Sequence, residues 1–220
     1  MENNKSLLSK NQINRLPSYL HLLKKLQCEG LEYVHSQMIA DYLEINNEKV
    51  KKDIALISSI SGIPNKGRKI EVLIKDIESI LGYDGDINAI LIGVGSLGNA
   101  LLRYDGFKNY GLNIIKGFDV DKNLIGKSIN NIEIMDINKI NKDLLNQLDS
   151  YIAILTVNND SVDEVCEILT NAGIKGIWNF TSTTLKVDKD VIVEHIDLAV
   201  SLARLSHKLF LKNYKNQRGK

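Results

Sequence analysis

The 220-residue chain holds only two cysteines, Cys28 and Cys166, far apart in sequence. Two thiols cannot build a cysteine-rich zinc site. Both fall at apolar-periodic helical positions, so they are expected as reduced core residues rather than as a disulfide. Two prolines and 15 glycines are too few for a linker-rich or low-complexity protein. An excess of either charge is also missing, since 28 Lys/Arg face 27 Asp/Glu, for a formal net charge of +1. A uniformly basic, histone-like protein is thereby excluded, but a local basic patch is not. No run approaches the roughly 18 apolar residues that cross a bilayer. The opening MENNKSLLSKNQ is polar and lacks the apolar core of a signal peptide. A cytoplasmic protein with no membrane partner is expected. Hydrophobic residues at 44% and charged residues at 25% suit a globular chain and exclude wholesale disorder.

The pattern changes near Tyr83-Asp84-Gly85-Asp86. From Ile13 to about Leu81 it is mostly helical. Beyond lie short apolar runs bounded by Gly, Asn or Asp: INAILIGVG (87–95), NIIKGFDV (113–120), SYIAILTV (150–157) and KGIWNF (175–180). Helical patterns such as 161–172 separate them. Alternating strands and helices predict an α/β fold with a parallel sheet covered on its faces. From about Asp197, Leu198, Leu202, Leu205 and Leu209 form one apolar stripe along a helix. The expected organisation is a helical domain over 1–83, an α/β domain over 84–196, and a terminal helix with a basic tail over 197–220.

Gly93-Val94-Gly95-Ser96-Leu97-Gly98 fits G-x-G-x-x-G. Alone the motif is weak. Here it follows a strand and opens an apolar helix, and a second strand then ends in Phe118-Asp119, which is the context a dinucleotide fold needs. Gly93 permits the tight turn, Gly95 lets the backbone approach a pyrophosphate, and Gly98 lets helix and strand pack closely. Asp119 can accept hydrogen bonds from the adenosine ribose hydroxyls and would repel a 2′-phosphate, which favours NAD(H) over its phosphorylated form. Ligands of open parallel sheets lie at the carboxyl ends of the strands. Val157-Asn158 and Asn179-Phe180 are therefore the candidates for the nicotinamide half. A glycine turn without a ligand is the plain alternative.

Before the boundary, Ile39, Ala40, Leu43, Ile45, Val50 and Ile54 have the spacing of two short helices packed across a turn. Ser36 is expected to cap the first, and Asn46 or Asn47 the second. The second helix carries Lys49, Lys51 and Lys52, and the stretch after it carries Lys66, Arg68 and Lys69. Across Lys49–Lys69, six cations meet a single Asp. A basic recognition helix followed by a basic loop suits a winged helix on double-stranded DNA. A solvated cationic face has the same composition. Hydride-transfer chemistry finds little support, because it needs a positioned acid or base and a second pocket. His195 and His207 only flank the last helix, and His195 reads as a surface or interface residue. The chain is expected not to be an enzyme.

In this order the motifs resemble the Rex family of bacterial redox-sensing repressors. The matching pieces are Arg15-Leu16-Pro17, Ser36-x-x-Ile39-Ala40, Val50-Lys51-Lys52-Asp53, the 93–98 glycine motif, Tyr104-x-Gly106-Phe107, Phe118-Asp119-x-Asp121, Ala172-Gly173-Ile174-Lys175-Gly176-Ile177, Asn179-Phe180 and Asp197-Leu198. The resemblance implies an N-terminal winged helix-turn-helix domain, a Rossmann-type domain binding NAD(H), and a C-terminal helix swapped within a homodimer. It implies binding of operator DNA when NADH is scarce and release when NADH closes the dimer. It places Arg15, Tyr104 and Asp197 in a contact between domains and subunits that responds to the cofactor.

The chain departs from the family pattern at three places. Lys51 stands where the family has an arginine and lacks its bidentate fork. Residues 58–70 lack the family's Phe-Gly pairs, and only Gly67 keeps the wing. Thr181-Ser182 follows Phe180 where Ala-Pro is usual. Beside the repressor reading stand a regulator with an altered operator or lost NADH discrimination, and a small NAD-dependent oxidoreductase with a helical interaction module. Lys208, Lys212, Lys215, Arg218 and Lys220 form a tail that either attracts DNA non-specifically or is simply solvated.

Overall fold

The computed structural model describes residues 8–83 and 87–218, with side chains as far as Leu211 in the last helix. The Asp84-Gly85-Asp86 boundary and the tail side chains of Lys212, Lys215, Arg218 and Lys220 lie outside the described residues. Two units emerge. One holds residues up to Ile87 together with Asp105–Leu112, and the other holds Asn88–Tyr104 and the chain from Asn113 onward.

The first unit opens with α1 (Lys10–Ile13) and α2 (Leu16–Cys28). Pro17 sits in the first turn of α2, where its missing N–H costs nothing. Leu16, Tyr19, Leu20, Leu22, Leu23 and Leu26 form the buried stripe of α2. After β1 (Tyr33–Val34) come α3 (Ser36–Leu43) and α4 (Asn47–Ile57), the expected helix-turn-helix. Glu44 turns the chain with a left-handed backbone, φ 53°. Asn46 caps α4, its side-chain oxygen accepting from the Glu48 N–H at 2.8 Å. Ser36 does not cap α3: it is the first helical residue, behind an extended His35 that makes no side-chain cap bond.

The wing lies between α4 and β2 (Arg68–Lys69), which pairs antiparallel with β1. A bridge between Ile63 and Gly67 closes the turn Pro64-Asn65-Lys66. Gly67 has φ +87°, and a Cβ there would run into the Val34 carbonyl, so this position requires glycine. The unit ends with α5 (Ile70–Leu81), stopped by a left-handed Gly82. One buried cluster joins α2, α3, α4 and α5 through residues such as Tyr19, Leu23, Ile39, Val50, Leu73 and Ile77.

The second unit runs β3 (Ile87–Ile92), α6 (Ser96–Leu102), β4 (Leu112–Asp119), β5 (Ser128–Ile129), β6 (Ile132–Asp136), α7 (Lys142–Gln147), β7 (Ser150–Leu155), α8 (Val162–Ala172), β8 (Gly176–Asn179), β9 (Ile192–His195) and α9 (Leu198–Arg218). The sheet order is β5-β6-β4-β3-β7-β8-β9. β6, β4, β3, β7, β8 and β9 thus follow the 3-2-1-4-5-6 order of a dinucleotide-binding sheet. β5 is an added antiparallel edge, whereas the β4–β6, β3–β7, β7–β8 and β8–β9 pairs are parallel. The sheet is Rossmann-like. Sequence patterning finds β3, β4, β7 and β8, whose inner residues are buried. It misses β5, β6 and β9, which are short or mostly open to water on one side and carry no continuous apolar run.

On α8, Val162, Val165, Cys166, Leu169 and Ala172 face the core. On α9 the expected leucine stripe is present and bare, with Leu202 67% and Leu209 54% exposed. Among the described residues no helix is long and apolar enough to cross a membrane, and no group of three His, Cys, Asp or Glu is placed to hold a metal ion. Both cysteines are free, but only Cys166 is in the core, because Cys28 is the exposed last residue of α2. Burial, and then the charge of Asp163, push the Cys166 thiol up from its ordinary pKa. In a thiol-labelling assay on native protein, Cys28 is expected to react at once and Cys166 only after denaturant unfolds its unit.

Candidate functional site

At the carboxyl ends of β3, β4 and β7 lies a cleft of about 290 Å³. It sits at the point where the chain crosses from one side of β3 to the other, where open α/β sheets hold their ligands. The glycine motif forms one wall, and its three glycines answer to three different constraints. Gly93 has φ +91°, and a Cβ on it would stand 2.9 Å from Val157 Cγ1 and 3.0 Å from the Thr156 carbonyl. Gly98 faces the Gly93 carbonyl so closely that any side chain would collide with it. At Gly95 a Cβ would meet no heavy atom within 4 Å. The fold does not need glycine there, although the position lines the cleft.

The loop is held from two sides. Asp119 Oδ2 accepts from the Val94 N–H at 2.6 Å, and its Oδ1 accepts from the Asp121 N–H at 2.9 Å. Thr156 Oγ1 donates to the Gly93 carbonyl at 2.7 Å. Each carboxylate oxygen of Asp119 keeps a further lone pair for a hydroxyl donor.

Of the residues expected at the cofactor, Gly93, Val94, Gly95, Asp119, Val157 and Asn158 line the cleft. Ser96, Leu97 and Gly98 form the first turn of α6 behind the loop. Asn179 is not on the cleft wall. It is buried, its Nδ2 donating to the Thr183 carbonyl at 3.0 Å and lying 3.0 Å from His195 Nδ1, while its Oδ1 accepts from the Thr181 N–H at 2.9 Å and hydroxyl at 2.8 Å. Its amide shapes the loop that carries Phe180. Phe180 is likewise off the cleft wall, its ring meeting Trp178 edge-on at 4.5 Å. Thr156, next to Val157, also lines the cleft. Sequence reasoning missed Val120, Leu124 and Ile137 on the cleft wall. Of these only Val120 adjoins a residue already singled out; Leu124 and Ile137 are brought in by the turn after β4 and the 3₁₀ turn after β6.

In the helical unit, Lys49, Lys51 and Lys52 are all exposed on α4, and Lys51 pairs with Glu48 at 2.8 Å. Lys66 lies over the Tyr33 ring at 5.6 Å, Lys69 pairs with Glu71 at 3.4 Å, and Arg68 turns inward to the Ile60 carbonyl.

The α4 residue that sequence reasoning quoted but gave no role is Asp53. It is only 1% exposed, and four hydrogen bonds converge on its carboxylate. Arg15 Nε and Nη2 donate at 2.8 and 2.9 Å, the Tyr19 hydroxyl at 2.6 Å and Gln12 Nε2 at 3.0 Å. Burial pushes the Asp53 carboxyl up, but the bonds from Arg15, Tyr19 and Gln12 outweigh it and hold the carboxyl below its usual range. Burial, and then the Asp53 hydrogen bond, raise the Tyr19 phenol. Of the three residues expected in a cofactor-sensitive contact, Arg15 is thus bound to Asp53. Asp197 caps α9, accepting from the Val200 N–H at 2.9 Å, and Tyr104 is exposed at the end of α6.

Both halves match known families. Residues 84–183 match a family model described as "CoA binding domain", and residues 8–55 match one described as "Putative DNA-binding protein N-terminus". The redox-sensing transcriptional repressor Rex of Treponema denticola is 42% identical over 193 residues, covering 88% of this chain and 91% of that protein. The chain belongs to the Rex family. Two crystal structures of the Rex-family repressor RSP share its fold. The complex with NAD+ and operator DNA is 31% identical, with a TM-score of 0.81 over 97% of this chain and 98% of that one. The complex with NADH is 30% identical, with a TM-score of 0.81 over 96% of this chain and 98% of that one.

Two expectations follow from this geometry in a Rex protein. Gly98→Ala should destabilise the second unit by about 2 kcal/mol through overpacking, whereas Gly95→Ala should leave its unfolding midpoint unchanged and still lower NADH affinity; denaturant melts and NADH fluorescence titrations of the two variants separate fold from cleft. The Asp53 cluster sets a pH window. A depressed carboxyl stabilises above its unfolded pKa of about 3.9 and loses that contribution as pH falls through the folded value. A raised phenol stabilises below its unfolded pKa of about 10 and loses that contribution above it. Urea unfolding across pH should therefore show a plateau with an acid and an alkaline limb, and Asp53→Asn should flatten the acid limb while costing about 2 kcal/mol at neutral pH.

Proposed function

We propose that the chain is a DNA-binding transcriptional repressor that reads the NADH/NAD+ ratio, a regulator and not an enzyme. The observation that carries this reading is the cleft, whose glycines and Asp119 fit an adenine dinucleotide, in a chain whose other half is a basic helix-turn-helix. That RSP is known both with NAD+ on operator DNA and with NADH supports it.

The domains are taken as 1–83 for DNA, 84–196 for NAD(H) and 197–220 for the terminal helix and tail. In the cleft the Gly95 backbone, with Ser96 and Leu97 of the α6 N-terminus behind it, meets the pyrophosphate, while Val94 holds the loop to Asp119. Gly93 and Gly98 keep that loop against β3. Asp119 takes the adenosine ribose hydroxyls, and Val120, Leu124 and Ile137 give an apolar seat for adenine. Val157, Asn158 and Phe180 face the nicotinamide end, with Asn179 shaping the Phe180 loop. The dinucleotide supplies a ring that differs in charge and pucker between its redox forms. A ligand shifts a conformational equilibrium only by its differential affinity for the two states, so the cleft must close better on the neutral ring.

On DNA, Lys49, Lys51 and Lys52 of α4 enter the major groove, and Lys66, Arg68 and Lys69 of the wing follow phosphates. Because Arg68 is turned inward and Lys51 replaces an arginine, the operator is expected to differ from that of the wider family. The bare stripe on α9 is covered by a second copy of the chain, giving a homodimer with the helix swapped, and Arg15, Tyr104 and Asp197 change partners as that dimer closes. The compartment is the cytoplasm, where the nucleoid is.

Selection of duplexes from a random pool, followed by anisotropy titration of the winner, tests this reading. NADH is expected to lower duplex affinity and NAD+ to preserve it. Replacing Lys51 and Lys52 together by Ala should weaken duplex binding and flatten the slope of log K against log salt, by about 0.9 for each of the two that also meets a phosphate at the groove edge. Equal duplex occupancy with NADH, with NAD+ and with neither would overturn the sensor role.

A further inference from the structure

We propose that Tyr110 and Asp53 are positioning residues that carry the state of the cofactor cleft to the recognition helix within a single chain. The inference rests on the repressor reading above, and it adds to the swapped helix a second, intrachain route. Its first part is the short stretch from Gly95 to Gly111, which runs from the cleft to the helical unit with a single unassigned residue, Tyr104. Gly95 lines the cleft and caps α6, its carbonyl accepting from the Asn99 N–H at 2.9 Å. The helix then closes through Arg103 and Tyr104, whose N–H groups donate to Ala100 and Leu101 at 3.2 and 3.1 Å. A 3₁₀ turn, Asp105–Tyr110, follows directly. It is closed by the Gly111 N–H on the Lys108 carbonyl at 3.0 Å and by the Lys108–Asp105 ion pair at 2.7 Å. Bonded turns lie on both sides of Tyr104, so a shift at Gly95 is either passed along the chain to Asp105–Tyr110 or taken up at Tyr104–Asp105.

The second part is where this stretch ends. Residues 105–112 follow α6 in the chain but belong to the helical unit. The Tyr110 ring stacks on His21 of α2, 5.9 Å between centroids and 11° from parallel. Lys24, one turn further along α2, donates to the Asn109 carbonyl at 2.7 Å and pairs with Glu78 of α5 at 2.7 Å. The strap therefore grips α2 by a ring face and a charged hydrogen bond.

The third part is the other end of α2. Arg15, immediately before it, and Tyr19, in its first turns, both hold the buried carboxylate of Asp53 on α4. A helix moves as one body over two or three turns, so displacement at His21 and Lys24 reaches Arg15 and Tyr19, and through Asp53 reorients the helix that carries Lys49, Lys51 and Lys52. Asp53 touches neither cofactor nor DNA in this scheme. It fixes the angle at which the lysines are presented.

The test uses the full-length protein and three titrations per variant: NADH alone, duplex alone, and duplex at saturating NADH. Tyr110→Ala should keep NADH affinity and cofactor-free duplex affinity within about twofold of the unsubstituted protein, while the NADH effect on duplex affinity, ordinarily in the roughly 5–150-fold range for coupled sites, shrinks to about twofold. Tyr110→Phe keeps the ring and should restore the coupling. His21→Ala removes the same stack from an exposed position and should behave like Tyr110→Ala, which keeps the test open should the tyrosine variant fail to fold. Asp53→Asn should lower cofactor-free duplex affinity about tenfold, a loss equal to about 1.4 kcal/mol, with NADH affinity and salt slope unchanged because no phosphate contact is removed. Full coupling in His21→Ala, or duplex affinity untouched in a folded Asp53→Asn protein, overturns the proposal. Absence of any NADH effect in the unsubstituted protein overturns the repressor reading instead.

Discussion

The site depends on one close approach of backbone to backbone. Gly98 on α6 lies against the Gly93 carbonyl just past β3, and Thr156, the residue after β7, donates to that same carbonyl. The approach brings a helix, the central strand and its neighbour to one point, and the cleft is the space left in front of it. Removing side chains at Gly93 and Gly98 is what lets the three elements meet. Asp119 then secures the loop from the far side by accepting from the Val94 N–H. The cleft wall is thus formed by the same contacts that join helix to sheet.

The helical unit is organised around a charge rather than a close approach. A carboxylate buried on α4 costs desolvation unless it is fully bonded. Asp53 is, by a bidentate guanidinium, a phenol and an amide. Apolar packing alone would let α4 slide or roll by a fraction of a turn with little loss, since methyl groups accept many neighbours. Directional bonds do not allow it. The polar network fixes the setting of α4 against α2 from the inside.

How far the sequence led depended on the kind of contact involved. The helix-turn-helix, the central strands and the glycine loop are local patterns: apolar period, breaker residues and a short motif in the right setting. β5, β6 and β9 lack a long buried run, and their few Ile and Val residues make stretches too short to stand out from the loops around them. Asp119 was readable because its place after the second strand is fixed by the motif's geometry. Leu124 and Ile137 were not, because they reach the cleft only through the course of the chain after β4 and β6. Cys28 shows the opposite error, since it keeps the helical spacing yet falls just past the last buried turn. Asp53 stood in a quoted motif, but its meaning comes from Arg15, 38 positions earlier, and no spacing rule links the two.

The leucines of α9 carry a last consequence. A lone chain shows water a ladder of Leu198, Leu202, Leu205 and Leu209 along a 21-residue helix. Exposed apolar area of that extent is adhesive. A chain that leaves such a ladder uncovered is prone to stick to whatever apolar surface it meets, so the stripe carries a cost for as long as nothing lies on it.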